Sequence, residues 1–501
     1  MAPCTGSAPE PFVPHQRQRY RRKVHRCLDA LADMLTSSRF CTEERRIGLE
    51  IELNIVDETL RPSMANSVVL EKLNDPSFTI ELSQHNLELN VPPRELSDAA
   101  PMQLERELHT SLANANKKAQ DAGCDLALIG ILPTLESEHF QKKWISNNPR
   151  YVSLNDQIVA VRGEQLALDI DGASLPGRQP EALRTYAESI LPEAACTSLQ
   201  LHRQVRPDEF AAYWNSAQCL AGVQLAIGAN SPFLLGNALW SETRIPLFLQ
   251  ATDTRTEELR NQGVRPRVWF GERWITSVLD LFDENVRYFP GLIAEFDDED
   301  PLTTLDEGNT PGLAELRTHN GTIWRWNRPV YDVVHGVPHL RVENRVLPAG
   351  PTVSDMVANA MFFYGAQHSL AHQERPLWTN MSFASAEENF FAAAKSGMDA
   401  KLYWPGLDWT APDELVLQEL LPLAREGLRA YGVTDRASEH YLGIIERRCL
   451  TRQNGASWQR DAVRALEDRG YDRNAALRQM FERYLELMNS GEPVHNWPIP
   501  R

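Results

Sequence analysis

Between Arg46 and Ile55 apolar residues recur at every second position, and no other stretch limits the fold so tightly. Neighbouring side chains of a strand point to opposite faces. Ile47, Leu49, Ile51, Leu53 and Ile55 therefore share one face, and Glu50, Glu52 and Asn54 share the other. Such a strand has one side to bury and one to keep polar. It suits an antiparallel or mixed sheet covered by helices on one side, because strands buried on both faces read as unbroken apolar runs.

The same period returns further along. Leu87, Leu89 and Val91 alternate with Asn86, Glu88 and Asn90. Leu199, Leu201 and Val205 alternate with Ser198, Gln200, His202 and Gln204, and Leu340, Val342 and Val346 with Arg341, Glu343 and Arg345. A more buried strand is expected over Leu126–Leu132. Helical spacing marks 17–36, Pro101–Ala122, Glu209–Ile227 and Val268–Phe289. From about Pro351 the chain is mainly helical, as in Asp413–Tyr431, Ala437–Leu450 and Gly455–Met488. The acidic, turn-rich Asp297–Gly312 reads as a mobile loop. Amphipathic strands separated by helices place the chain in the α+β class. The expected organisation is a flexible tail over 1–16, a main catalytic domain over 17–410, and a helical region over 411–501 packed on that domain, covering the apolar side of the sheet or making an oligomer contact.

Composition excludes several classes. The formal net charge is -17, which argues against a general nucleic-acid binder. The seven cysteines are scattered and form no C-x-x-C pair, so neither a disulfide framework nor a zinc ribbon is expected. Residues 1–16 hold Glu10 and four prolines but no apolar segment of a secretory signal. The most apolar stretch, Cys219–Leu235, is interrupted by Gln224, Asn230 and Pro232 and is too short to span a bilayer. A cytoplasmic protein with neither membrane nor nucleic acid as partner is expected, and its oligomeric state is left open. Arg17, Arg19, Arg21, Arg22, Lys23 and Arg26 form a basic helix face. That face either meets an acidic partner or membrane, or is an ordinary solvated face.

The unusual feature is what the polar strand faces carry. Glu50 and Glu52 project from one face, roughly 6–7 Å apart along the strand. Glutamate is depleted in strands, and two on one face repel unless water or a cation lies between them. On an exposed edge water suffices; on a concave face a hard cation such as Mg²⁺ or Mn²⁺ is the natural partner. Glu88, His202 with Gln200, and Glu343 with Arg345 lie on the polar faces of the other strands. One sheet could gather them all. Arginine binds oxyanions with a planar fork, and carboxylates, metal and arginine together suggest phosphoryl transfer. Glu81 stands seven residues before Glu88, so in one flat strand the two would face opposite ways. They serve one site only if the chain bends or bulges around Ser83–His85. No P-loop, no G-x-G-x-x-G after a strand, no H-E-x-x-H and no G-x-S-x-G is present.

Ordered motifs extend this pattern. G-L-E-I-E at Gly48–Glu52 is followed by Glu81 with N-L-E-L-N at Asn86–Asn90, then S-L-Q-L-H at Ser198–His202. N-S-P-F at Asn230–Phe233 precedes Arg244; T-H-N-G-T-I-W at Thr318–Trp324, V-E-N-R at Val342–Arg345 and N-G-A-S-W-Q-R at Asn454–Arg460 follow. In this order the chain resembles the glutamate–cysteine ligase superfamily, in its bacterial and plant-type carboxylate–amine ligase branch. The resemblance implies a curved, mainly antiparallel sheet of about six strands with flanking helices, related to the catalytic part of glutamine synthetase. It implies that ATP phosphorylates the side-chain carboxylate of glutamate and that an amine, by default cysteine, then displaces phosphate to give a γ-glutamyl amide. ATP and Mg²⁺ (or Mn²⁺) are the implied cofactors, and glutamate, the amine and ATP the small-molecule partners. Carried over residue by residue, Glu50, Glu52, Glu81, Glu88, His202 and Glu343 would hold metal. Arg345 would meet the ATP phosphates or the transferring phosphoryl group, and Arg244 a phosphate or the substrate carboxylate.

Three departures stand out. Gln200 occupies the place of a first histidine in an H-x-H pair, Pro348 the place of an aspartate after E-x-R, and Asn320–Gly321 that of an apolar–threonine pair. They mark another amino donor or acceptor, or a non-catalytic descendant. Trp324, Trp326 and Arg328 form an aromatic–basic cluster that either stacks adenine, clamps a substrate carboxylate, or packs the core. His319 and His335 are acid–base candidates or ordinary hydrogen-bonded histidines, and Cys196 has no evident activating partner for a catalytic thiol.

Overall fold

A computed structural model describes residues 14–37, 39–40, 46–174, 179–293 and 295–500. Most of the expected tail, 1–13, lies outside the described residues, and a helix begins at Pro14 rather than at 17. At the centre is an antiparallel sheet of seven strands. In chain order they are β1 (Arg46–Asp57), β2 (Phe78–Ile80), β3 (Asn86–Glu95), β4 (Cys124–Ala127), β5 (Ser198–Val205), β6 (Asn327–Val334) and β7 (Val337–Pro348). Six of them run β6-β7-β5-β1-β3-β2 across the sheet, and β4 pairs with the far end of β1. Two register irregularities interrupt the ladder. One lies between Ile47 and Leu49 against β3, the other between Asn344 and Leu347 against β5. Bulges of this kind bend and twist a sheet.

The alternation of β1 is obeyed. Ile47, Leu49, Ile51, Leu53 and Ile55 are each at most 1% exposed. Burying such an aliphatic side chain stabilises the fold by roughly 1.5–3 kcal/mol. The helices Phe210–Gly228 and Val353–Ala371, largely apolar and almost wholly buried, pack together behind the strands. The Tyr364 hydroxyl donates to the carbonyls of Gly48 and His202, 3.1 Å each, so the second helix grips β1 and β5 by their backbones. The C-terminal helices form the next layer. Gly365 and Gly427 make the docking possible, because a Cβ at Gly427 would stand 2.0 Å from the Gly365 carbonyl oxygen. One contiguous core runs from Tyr20 to Trp497. Among the described residues no helix is long and apolar enough to cross a membrane.

Several expectations need correction. The helix expected over Val268–Phe289 is a two-residue strand, Val268–Trp269, parallel to Trp324–Arg325, followed by a helix only at Val278–Tyr288, where Ser277 supplies a capping box. Gly455–Met488 is two helices, Gly455–Asp468 and Arg473–Ser490, separated at Gly470, whose φ of +94 no other residue type adopts easily. Strand pairing in Leu126–Leu132 stops at Ala127. Asp297–Gly312 contains a helix, Pro301–Asp306, and is tied down: Arg26 pairs with Asp300 at 2.7 Å, and Gly312 N–H donates to Glu299 at 2.9 Å. Lys23 pairs with Glu315 at 2.9 Å. Part of the basic face of the first helix thus meets acidic residues of this chain.

Candidate active site

The polar face of the sheet is assembled by register. Glu343 of β7 stands opposite His202 of β5, which stands opposite Gly48 of β1. Glu50 stands between Gln200 and Asn90, and Glu52 opposite Glu88. Neighbouring strands lie about 4.8 Å apart, so residues remote in sequence become direct neighbours. Glu81 joins them through the bend expected around Ser83–His85: the chain turns at Gln84–His85, which makes β2 and β3 antiparallel partners with Thr79 opposite Glu88. Glu81, two residues after Thr79, is returned toward Glu88 by chain reversal, close enough for each carboxyl to bear on the pKa of the other.

The face divides into a cationic and an acidic half. Glu343, 1% exposed, accepts from Arg345 Nη1 at 2.5 Å and from Arg328 Nη2 at 2.8 Å. Burial opposes its charge, but Arg328 and Arg345 outweigh burial and hold its carboxyl well below the usual range. Arg345 also donates to the side-chain oxygen of Gln200, whose Nε2 donates to Glu52 at 2.9 Å. Gln200 is therefore a link between the arginine and the carboxylate row. Glu52 also accepts from the Ser198 N–H at 2.6 Å. Burial nevertheless raises its pKa, with Arg345 acting against the rise. Among the described residues, the acidic half beyond Glu52 has no ion-pair partner. Burial and then the charges of Glu50 and Glu52 push Glu88 up to about 8. Burial, Glu88 and Glu52 raise Glu81 well above the ordinary range.

His202 Nε2 lies 3.2 Å from Glu50 Oε1. The approach is not aligned as a hydrogen bond, and Nε2 has no other partner. Burial raises and His202 lowers the Glu50 pKa, and the histidine prevails. Glu50 and His202 open onto a cleft of about 560 Å³ that continues along β5 and β7 past Gln204, Arg341 and His339 to the hairpin tip at His335. Gly48, without a side chain, keeps the floor beside His202 open. Among the described residues no three His, Cys, Asp or Glu side chains already stand close enough to grip a metal ion. The donor set still suits a hard cation, being carboxylate oxygens and an imidazole nitrogen that makes no hydrogen bond among the described residues.

Other expected residues are placed elsewhere. Arg244 is 2% exposed, bonded to Glu242 at 2.9 Å and to the Val346 carbonyl at 2.8 Å, and its charge acts on Glu52 against burial. Trp324 and Trp326 are buried with Phe248 packed edge-on against both, so of the aromatic–basic cluster only Arg328 reaches the polar face. His319 Nε2–H donates to the Asn285 carbonyl within the core, burial lowering the pKa of the ring to about 4. Burial raises the Cys196 thiol far above its ordinary range, which leaves it inert. N-S-P-F and N-G-A-S-W-Q-R meet each other: Gln459 donates to Asn230 Oδ1 at 2.9 Å, and a Cβ on Gly455 would stand 2.0 Å from that oxygen. These motifs pin the C-terminal helices to the catalytic layer.

One residue escaped sequence reading. Glu193, in the short turn Glu193–Ala195 before β5, borders a small cavity with Glu52 and Glu81. It lies in no alternating pattern that would have marked it.

Comparison with known proteins gives a family and a set of distant structural likenesses, among them the following two. The crystal structure of glutamate–cysteine ligase from Francisella tularensis in complex with AMP is 13% identical, with 92% of this chain and 91% of that chain covered and a TM-score of 0.47. A bifunctional glutathione synthetase from Pasteurella multocida is 12% identical, with 92% of this chain and 55% of that chain covered and a TM-score of 0.49. No curated protein matches. The family model of glutamate-cysteine ligase family 2 matches residues 46–482, a span that starts at β1 and takes in every strand of the sheet, and the chain belongs to that family.

Proposed function

We propose that this protein is an ATP-dependent carboxylate–amine ligase that phosphorylates the side-chain carboxylate of glutamate and couples it to an amine, with cysteine as the default amine. The observation that carries the reading is the graded face itself: Arg328 and Arg345 at one side, joined through Glu343 and Gln200 to the carboxylates at the other. Family membership supports the same chemistry.

A carboxylate resists attack by an amine until one oxygen becomes a leaving group, and phosphorylation supplies one. In the proposed mechanism the substrate carboxylate takes the γ-phosphoryl group of ATP as ADP leaves, and Arg345, fixed by Glu343 and Gln200, contacts the group in transfer, so that positioning and electrostatics do most of the work. Arg328 holds Glu343 from the other side and keeps the guanidinium of Arg345 aimed across the sheet. Glu50, Glu52, Glu81, Glu88 and His202 are assigned to Mg²⁺ or Mn²⁺; such ions neutralise crowded phosphates and orient in-line transfer. The family resemblance adds Glu343 to that set, yet its contacts with two arginines suit it better to holding them. Arg244 is assigned a supporting role, through Glu242 and the β7 backbone.

The test is ADP release by the purified protein with Mg²⁺ and glutamate across a panel of amines. Release that requires cysteine supports the default. Release with another amine supports the reading that Gln200, in place of a histidine, accompanies a changed amine. No ADP release with any amine, together with no ATP binding, overturns the ligase.

A further inference from the structure

Glu193, Glu52 and Glu81 border one cavity of about 20 Å³ together with Asn86, Cys196 and Thr197. A cavity needs roughly 10–15 Å³ to hold one water-sized species, so this one takes a single small guest. Its polar lining is nearly all acceptor. The three glutamates bring carboxylate oxygens. The Cys196 thiol donates to the carbonyls of Pro192 and Arg244, and the Thr197 hydroxyl to the carbonyl of Ile129. Neither leaves a donor for the cavity.

The independent observation is Asn86. It is 2% exposed, its Nδ2 donates to Asn54 Oδ1 at 3.0 Å, and its Oδ1 has no hydrogen-bond partner. A buried amide oxygen without a donor costs about 1–3 kcal/mol. Such a cost persists in a folded site only where something else answers it. Among the described residues neither Glu81 nor Glu193 has an ion-pair partner. Water could satisfy the amide oxygen, but water brings no positive charge to a lining of three carboxyls. A divalent cation meets both demands, because hard cations take carboxylate and amide oxygens together.

We propose that Glu193 and the side-chain oxygen of Asn86 complete, with Glu52 and Glu81, a divalent-cation position for Mg²⁺ or Mn²⁺ on the inner side of the carboxylate row. Among the described residues no three of these carboxyls already stand within the reach of one ion. Binding would draw them inward. The cation's use in catalysis rests on the ligase reading; its binding does not.

The experiment is Mn²⁺ titration of the full chain without nucleotide, followed by electron paramagnetic resonance, with thermal melting in parallel. Glu193→Gln is expected to lose one Mn²⁺ equivalent or to weaken it by roughly 10–100-fold, the range seen when even an outer partner of a metal is removed. Asn86→Asp adds a fourth carboxylate, and is expected to tighten Mn²⁺ and to lower the metal-free melting temperature. Equal stoichiometry and affinity in wild type and Glu193→Gln overturns the proposal. If Glu193→Gln does not fold, Asn86→Asp decides, and unchanged Mn²⁺ affinity there overturns it. Mn²⁺ binding that depends on Glu193 in a protein that releases no ADP would sustain the cation position while the ligase reading fails; the reverse pattern would do the opposite.

Discussion

Replacing Glu343 by glutamine removes one negative charge from between two arginines and leaves the shape of the side chain almost unchanged. Glu343 is 1% exposed, and it accepts from Arg345 Nη1 at 2.5 Å and from Arg328 Nη2 and Nε at 2.8 and 3.1 Å. Breaking a buried charge pair by removing one partner costs about 3–5 kcal/mol, because the other charge is left uncompensated. Glutamine keeps one carbonyl for one guanidinium, and Arg345 also keeps the Gln200 oxygen. The expected loss therefore lies near the lower end, about 3 kcal/mol. The assay is urea unfolding followed by tryptophan fluorescence. A second substitution should rescue the variant. Arg328→Met removes one stranded charge, so the double variant should recover about 1 kcal/mol or more relative to the sum of the singles. The pH dependence has a definite sign. The Glu343 carboxyl is depressed by its arginines, against burial. Its contribution is present above the ordinary carboxylate pKa of about 4.3, and is lost as pH falls from there through the depressed folded value. Wild type and variant should converge in acid. A cost under about 1 kcal/mol at neutral pH, or additive singles and double within about 0.5 kcal/mol, would refute the argument.

Other outcomes follow from the same geometry. Glu50→Gln should lower Mg·ATP turnover by roughly 100-fold or more, as expected for a group acting on developing charge; unchanged ADP release would remove Glu50 from the site. Gln200→Leu should cut the link between Arg345 and Glu52 and slow ADP release by about tenfold with ATP affinity little altered, a loss of about 1.4 kcal/mol in the barrier; a pure KM effect would contradict that role. In metal-free protein Glu88 has a folded pKa raised to about 8, first by burial. Its favourable contribution is therefore full below about pH 4.3, and is lost as pH rises through about 8. Glu88→Gln should flatten that slope in melting temperature, and parallel slopes for the two proteins would contradict the assignment. Gly427→Ala puts a methyl 2.0 Å from the Gly365 carbonyl oxygen, and should destabilise by about 1–3 kcal/mol in the same urea assay.

Much of this protein was written locally. A period of two in Ile47–Ile55 fixed which residues of β1 face the core and which face the site, since a strand has no other way to place them. The same rule put Glu88, His202, Glu343 and Arg345 on polar faces, and the family motifs set them in order. What local pattern could not carry was adjacency. That Glu343 lies beside His202, and Glu52 beside Glu88, depends on strand order and register. Glu81 reaches Glu88 because the chain reverses between β2 and β3, where a period counted along one strand no longer applies. Glu193 has no periodic context and enters only because its turn folds against the sheet. Arg244, Trp324 and the N-S-P-F motif read like site chemistry; in the fold Arg244 pairs with Glu242, Trp324 packs edge-on against Phe248 and Asn230 accepts from Gln459, contacts that no linear spacing contains. The sequence alone determined the pair Glu50 and Glu52 and the side they face. Only the tertiary structure decided their company, because electrostatic interaction depends on distance through space and on burial, neither of which a one-dimensional spacing contains.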